Sequence, residues 1–161
     1  MLTVTNPGLW KQIQMRAVHL LTMGVFALMA GGGASAQSGP VELTAGMFRI
    51  SAEVAADYRT RAVGLMNRPE MAPYAGMIFV YPEKAIHCMW MKNTLIPLSV
   101  AFLDDDGTII NIEQMVPQTE DNHCARAPAR FALEMNAGWF SAKHLGPGTI
   151  IRGVSKLPPG R

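Results

Sequence analysis

The chain has 161 residues, 49% hydrophobic and 16% charged, with 14 basic and 12 acidic side chains. That size suits one domain and excludes a large multidomain enzyme, and so apolar a composition excludes a disordered tail. Both surplus positive charges, Lys11 and Arg16, lie in residues 1–36, which hold no Asp or Glu; residues 37–161 therefore carry 12 basic and 12 acidic groups, and no nucleic-acid footprint remains.

Residues 1–36 read as a secretory signal peptide. Lys11 and Arg16 form a positive segment, and Ala17 to Ala30 is an apolar run of 14 residues. Ala34-Ser35-Ala36 then offers the small residues that a signal peptidase accepts. A membrane-spanning helix needs about 20 apolar residues, so a stable anchor is not expected after cleavage near Ala36. The mature domain, residues 37–161, is expected to be periplasmic or secreted. Cys88 and Cys124 both lie in it, and in an oxidising compartment an even count favours a disulfide.

Along the mature chain, residues 37–41 have turn composition and read as a leader. Met47 to Val54 alternates Phe48, Ile50 and Ala52 with polar neighbours, the period of a strand. Asp57 precedes a helical pattern carrying Tyr58, Ala62, Leu65 and Met66 on one face, stopped by Pro69. Met77 to Tyr81 is a continuous apolar run between Gly76 and Pro82, as expected of a strand buried on both faces. Cys88 to Lys92 reads as a short strand. Leu98, Val100 and Phe102 share a face of a hairpin that turns through Asp104-Asp105-Asp106-Gly107 and returns over Thr108 to Ile112. The three carboxylates lack the spacing of a calcium loop and read as a solvated turn. Pro117 to Pro128 is a polar loop containing Cys124, Phe131 to Met135 a strand, Trp139 to Leu145 a short helix and Thr149 to Val154 a last strand. The order β-α-β-β-β-β-β-α-β describes a compact, β-rich α+β domain with two short helices.

The residues best suited to recognition are Trp90, Lys92, Asn93 and Thr94. They combine a flat apolar face, a cation, a paired amide donor and acceptor, and a hydroxyl. The structural alternative places Trp90 in the core and gives Asn93 and Thr94 to a turn before Pro97. His87, Cys88, Met89 and Met91 crowd five positions with ligands that suit Cu(I), although methionines at alternating strand positions ordinarily fill a core. His87 and His123 each adjoin a cysteine, but neighbours in a strand point to opposite faces, which places such a pair badly for proton transfer. No established catalytic motif is found, and no cofactor is predicted.

Four ordered segments resemble domain-of-unknown-function family 192. They are Arg61-Ala62-Val63-Gly64-Leu65-Met66-Asn67-Arg68, Gly76-Met77-Ile78-Phe79-Val80, Trp90-Met91-Lys92-Asn93-Thr94-Leu95-Ile96-Pro97-Leu98, and Ala132-Leu133-Glu134-Met135-Asn136-Ala137-Gly138. The resemblance spans about residues 42–154. It implies a single β-rich domain, a partly barrel-like mixed sheet with helices against it, and brings no established activity. It also implies an Asp after Ile-Pro-Leu and a Gly-Asp before the last strand, where this chain has Ser99 and Gly148-Thr149.

The leading functional expectation is a non-catalytic extracytoplasmic module binding a small-molecule or cell-envelope ligand through Trp90, Lys92, Asn93, Thr94, Arg68 and Glu134. A periplasmic hydrolase or lyase is the first alternative. Soft-metal binding through His87, Cys88, Met89 and Met91 is the second.

Overall fold

The computed structural model describes residues 39–161; the expected signal peptide over residues 1–36 and its expected cleavage near Ala36 lie outside the described residues. No helix among the described residues is long and apolar enough to cross a membrane. Strands β1 (Val41–Ala45) and β2 (Phe48–Ala55) form an antiparallel hairpin. The expected leader over residues 37–41 thus runs into a strand. Leu43 and Ala45 are buried between Glu42 and Thr44, a period of two too brief to stand out beside the turn-like Gly39-Pro40. Met47, expected inside β2, sits in the turn and is exposed.

Helix α1 (Tyr58–Val63) carries the chain from β2 to the parallel strand β3 (Ala75–Ala85). It begins at Asp57, whose Oδ1 accepts from the Thr60 backbone N–H at 2.9 Å. That bond and the Thr60 hydroxyl hold the Asp57 carboxyl below the usual carboxylate range. The helix stops at Gly64, which takes a φ of 49°, well before Pro69. It buries none of its residues, contrary to the expected apolar face: Tyr58 and Ala62 are exposed, and Leu65 is buried only after the helix has ended. What seats it is polar. Arg61 donates to the carbonyls of Ala56 at 2.8 Å, Val80 at 2.9 Å and Arg161 at 2.8 Å.

The remaining strands are β4 (Cys88–Met89), β5 (Leu98–Leu103), β6 (Ile109–Met115), β7 (His123–Cys124), β8 (Ala129–Asn136) and β9 (Ile151–Arg152). Seven of the nine form one mixed sheet in the order β6-β5-β8-β3-β2-β1-β9, with β4 and β7 as a separate pair. The expected helix over Trp139–Leu145 is a single 3-10 turn at Ser141–Lys143, ended by His144 at a φ of 53°. The second of the two expected short helices is therefore corrected: buried Trp139 and Phe140 anchor the segment, which leaves too few residues for an α-helical turn. The last strand is also shorter than expected, because Gly153 at a φ of 100° starts another 3-10 turn at Val154–Lys156.

Alternation along the central strands explains the architecture. Ile78 and Val80 of β3, Ala101 and Leu103 of β5, and Phe131 and Leu133 of β8 enter one core. Met77 and Phe79, Leu98, Val100 and Phe102, and Ala132 enter a second core on the other side. The first core is enclosed by curling of the sheet. Its two edges meet where Thr108 bridges Ile150, with Ile109 N–H donating to Thr149 O and Ile151 N–H to Gly107 O, each at 2.8 Å. The result is a mixed sheet curled into a half-barrel. Asp104 orders the preceding turn by accepting from the backbone N–H of Asp106 and Thr108, and Asp105 pairs with Lys84.

The second core is roofed by residues 86–94 and 117–126. Cys88 and Cys124 sit directly opposite each other in β4 and β7 and form a disulfide. Their sequence separation is 36, for which the chain-entropy estimate is about 3–4 kcal/mol. Buried Asn111 pins the same roof, donating to Cys124 O at 3.1 Å and accepting from Arg126 N–H at 3.0 Å.

Gly107 is required at the closure, having a φ of +84° and lying where a Cβ would overlap the Ile151 carbonyl. Gly107→Val should lower unfolding free energy by roughly 1–3 kcal/mol through backbone strain, with further loss from the overlap. Urea denaturation of the oxidised protein reads this directly. An unchanged midpoint would show that the closure does not depend on a glycine.

Candidate functional site

Between the roof and the sheet lies a cavity of about 30 Å3. The end of α1 and the following turn supply Arg61 through Met66, β3 supplies Phe79, the roof supplies Met89, Trp90 and Thr94, and β8 supplies Glu134. Glu134 stands opposite Met77 and Val100 in the sheet register, so all three face the second core. It is 3% exposed. No hydrogen bond or ion pair reaches its carboxyl among the described residues, and burial alone pushes its pKa up to about 8. Few acids tolerate this position, because an ionised carboxylate without partners is costly in a dry interior.

The neighbours of Glu134 do not relieve it. Arg61 directs its guanidinium at three backbone carbonyls. Tyr81 is largely buried, and its phenol is held well above the usual tyrosine range first by burial and then by the Glu134 charge. Its hydroxyl donates to Met89 Sδ at 3.2 Å, and its ring stacks on His87 with centroids 3.5 Å apart. Trp90 is 46% exposed, although it also lines the cavity. Thr94 is buried beside it and takes part in the turn through Thr94 N–H to Met91 O at 3.0 Å.

The cavity brings together Trp90, Thr94 and Glu134 of the six expected binding residues. The other three do not line it. Arg68 makes a two-pronged ion pair with Glu53, one arm at 2.6 Å. Lys92 lies 3.4 Å from Glu120, with its ammonium 5.2 Å from the Trp90 ring centre. Asn93 takes a φ of 56° in a turn and accepts from Asn67 N–H at 2.8 Å, the structural role that its residue type allows. The strand expected over Cys88–Lys92 ends at Met89, so the alternation that would separate Met89 from Trp90 lapses, and both reach the cavity.

The soft-metal set fares differently. Cys88 is bonded to Cys124, His87 lies on Tyr81 with its Nε2–H directed at Glu83 O, and Met91 is fully buried. No thiolate remains at either cysteine for a metal or for nucleophilic attack. Arg61, Met66, Phe79 and Tyr81 were not singled out from the sequence. Arg61, Met66 and Phe79 stood in the family-like segments, but nothing local places the end of a helix over a distant strand.

Ser99, where the resemblance implies Asp, is fully buried. It donates to Gln114 Oε1 at 2.7 Å and accepts from Gly138 N–H at 2.8 Å. Its register partner is Met135, so it points to the sheet face opposite Glu134. The replacement therefore leaves the cavity intact. A larger groove of about 530 Å3 runs along the β1–β2 hairpin beside Tyr74. Its charged pair, Arg49 and Glu42, is exposed. Lys143 already fills the neighbouring aromatic cluster, its ammonium 5.4 Å from Phe48, 5.2 Å from Tyr74 and 4.6 Å from Trp139. Volume alone is thus a poorer marker here than a buried acid without a partner.

These features define a small domain built on a curled mixed sheet, with one buried acid under a disulfide-pinned roof. The chain belongs to domain-of-unknown-function family 192, described as an uncharacterized ACR, whose model matches residues 41–153. Among solved structures it is similar to a candidate transcription regulator from Sinorhizobium meliloti 1021, with 35% identity over 74% of this chain and 98% of that one, TM-score 0.68. It is also similar to a protein of unknown function from Novosphingobium aromaticivorans DSM 12444, with 32% identity over 71% of this chain and 84% of that one, TM-score 0.65. No curated protein matches it.

The raised acid has a measurable signature. Below its unfolded pKa of 4.5, Glu134 is protonated in both states and adds no pH dependence to stability. As pH rises toward about 8 the unfolded state loses the proton while the folded state keeps it, so stability falls through that window and levels off above it. Glu134→Gln should flatten that decline, a difference on the order of several kcal/mol at pH above the window. Urea denaturation at stepped pH measures it, and parallel curves for the two proteins would show that Glu134 is not desolvated.

Proposed function

We propose that this chain is an extracytoplasmic, non-catalytic binding module whose small-molecule or envelope-derived ligand enters the Glu134 cavity past Trp90. The observation that carries the reading is a buried carboxyl without partners at a cavity with a half-exposed indole. Such a group is retained at a cost in stability, and a ligand that satisfies it repays the loss.

The hydrolase or lyase reading draws on the same residue, since a carboxyl with a pKa near neutrality suits a general acid. Binding is preferred because the residues around Glu134 provide no matching nucleophile: both sulfurs are bonded, and Tyr81 directs its hydroxyl at Met89. A nucleic-acid reading, suggested by the description of the Sinorhizobium protein, sits poorly with the 12 basic and 12 acidic groups of residues 37–161. Export is part of the proposal: the charged and apolar pattern of residues 1–36 argues for it, and the Cys88–Cys124 bridge agrees with an oxidising compartment.

Two experiments test this. Ligand screening by NMR on 15N-labelled protein should find fragments that shift the Trp90 indole N–H while leaving that of Trp139 in place. Trp90→Ala and Glu134→Gln should each weaken such a hit about tenfold or more while far-UV circular dichroism stays native; shifts confined to Trp139 would move the site to the β1–β2 groove. Intact mass of protein expressed with its leader should begin at Gln37, with both cysteines resistant to alkylation until reduced. A chain retaining residues 1–36 with two free thiols would overturn the extracytoplasmic assignment.

A further inference from the structure

Resting on the binding reading above, we propose that the Glu134 cavity receives one primary ammonium group, borne at the tip of a larger molecule whose body lies against the Trp90 indole. Four observations point to a cation and not to an anion or a neutral acceptor. The first is the carboxyl of Glu134, unpartnered among the described residues and facing the cavity. The second is the end of α1: the carbonyls of Arg61 and Ala62 accept no backbone N–H among the described residues, and both residues line the cavity. Free carbonyls at a helix C-terminus carry partial negative charge. The third is the character of the other walls: the ring of Phe79, and the thioethers of Met66 and Met89, which also accept from Asn93 Nδ2 at 4.0 Å and from the Tyr81 hydroxyl at 3.2 Å, while Trp90 already carries the Lys92 ammonium 5.2 Å from its ring centre. Aromatic faces and sulfur lone pairs attract cations. The fourth is that the nearby cations are already engaged: Arg61 with Ala56, Val80 and Arg161, Arg68 with Glu53, and Lys92 with Glu120.

Size selects among cations. A cavity of about 30 Å3 has room for one or two water-sized groups. An –NH3+ head fits that space, and a trimethylammonium head does not. The molecule carrying the amine must stay outside, where the exposed part of Trp90 offers a flat surface. Recognition is thus of an amine tip, as on an amino sugar, an amino alcohol headgroup or the side chain of a diamino acid, all of which share this chemistry.

Binding has a proton balance. Free Glu134 is protonated near neutrality; on binding, its O–H bond breaks, the carboxylate pairs with R–NH3+, and one proton passes to solvent. Apparent affinity should therefore increase about tenfold per pH unit as pH rises toward about 8, and then level off. The titratable or charged groups around Glu134 are Tyr81 from β3 and Arg61 from α1, with His87 of the roof stacked on Tyr81; β5 presents Val100. Loss of the pH dependence in Glu134→Gln assigns it to Glu134.

The test uses the full, disulfide-bonded chain with side-chain carboxyls of Glu labelled in 13C. Methylammonium, tetramethylammonium, acetamide and formate are titrated in turn at several pH values, with the Glu134 carboxyl and Trp90 indole resonances as readouts. Methylammonium should move the Glu134 carboxyl to its ionised shift, bind more tightly as pH rises, and lose its effect in Glu134→Gln; tetramethylammonium should do nothing at the same concentrations. The wild-type pH series decides even if that variant does not fold. Equal response to tetramethylammonium overturns the ammonium-tip proposal. Acetamide or formate binding that weakens as pH rises overturns it too but leaves the binding module standing, with Glu134 as a donor. If no probe moves either resonance, the ammonium-tip proposal is overturned, and an empty fragment screen as well would take the binding module with it.

Discussion

Strands β3, β5 and β8 bury side chains on both of their faces, and each must therefore satisfy two cores at once. The other elements answer to that demand. Curling the sheet until Gly107–Ile109 meets Thr149–Ile151 encloses the first core without a second layer of helices. The second core has no such closure and depends on Leu65 in the turn after α1 and on the roof of residues 86–94 and 117–126. A polar side chain in the buried stretches of these strands, unlike Glu83 and Lys84 at the exposed end of β3, has little solvent to turn to, so each one must be accounted for. Ser99 is satisfied by Gln114 and Gly138; Glu134 is not satisfied, and this makes it the chemical centre of the domain.

Helix α1 is not held by apolar burial, and the roof contributes little of it beyond Met89, Met91 and Ala125. Helix α1 has six residues and buries none, and β4 and β7 have two residues each. Directional contacts supply the rest: the Asp57 cap, the Arg61 clamp on three carbonyls, Asn111 under the Cys124 backbone, and the covalent disulfide. Such contacts position a short segment without filling the space beneath it. The cavity exists because elements fixed by directional bonds stop short of the close packing that apolar side chains would impose.

Much of the scaffold was legible in the residue order. The run Met77–Tyr81 predicted a strand buried on both faces, the Asp-Gly turn predicted the β5–β6 hairpin, and the two cysteines in a chain with an apolar leader predicted a bridge. Trp90, Thr94 and Glu134 were named from residue type and from the family-like segments. The misses have a common cause. Strand β1 alternates over only five residues, and the 3-10 turn at Ser141–Lys143 has the apolar spacing of a helix, but anchoring of Trp139 and Phe140 leaves it no length. Arg68 and Lys92 looked free for a ligand because their acidic partners, Glu53 and Glu120, are remote in the chain.

By itself, the sequence determined what periodicity and local chemistry control: the central strands, where the tight turn falls, which sulfurs pair, and which few polar residues sit in apolar company. It could not determine which of those polar residues would go without a partner. Whether Arg61 reaches Glu134 or three carbonyls, and whether Ser99 and Glu134 share a face, depends on strands brought together from distant parts of the chain. Burial and pairing are properties of that assembled neighbourhood, and only the tertiary structure decided that Glu134 would be left with a cavity instead of a counter-charge.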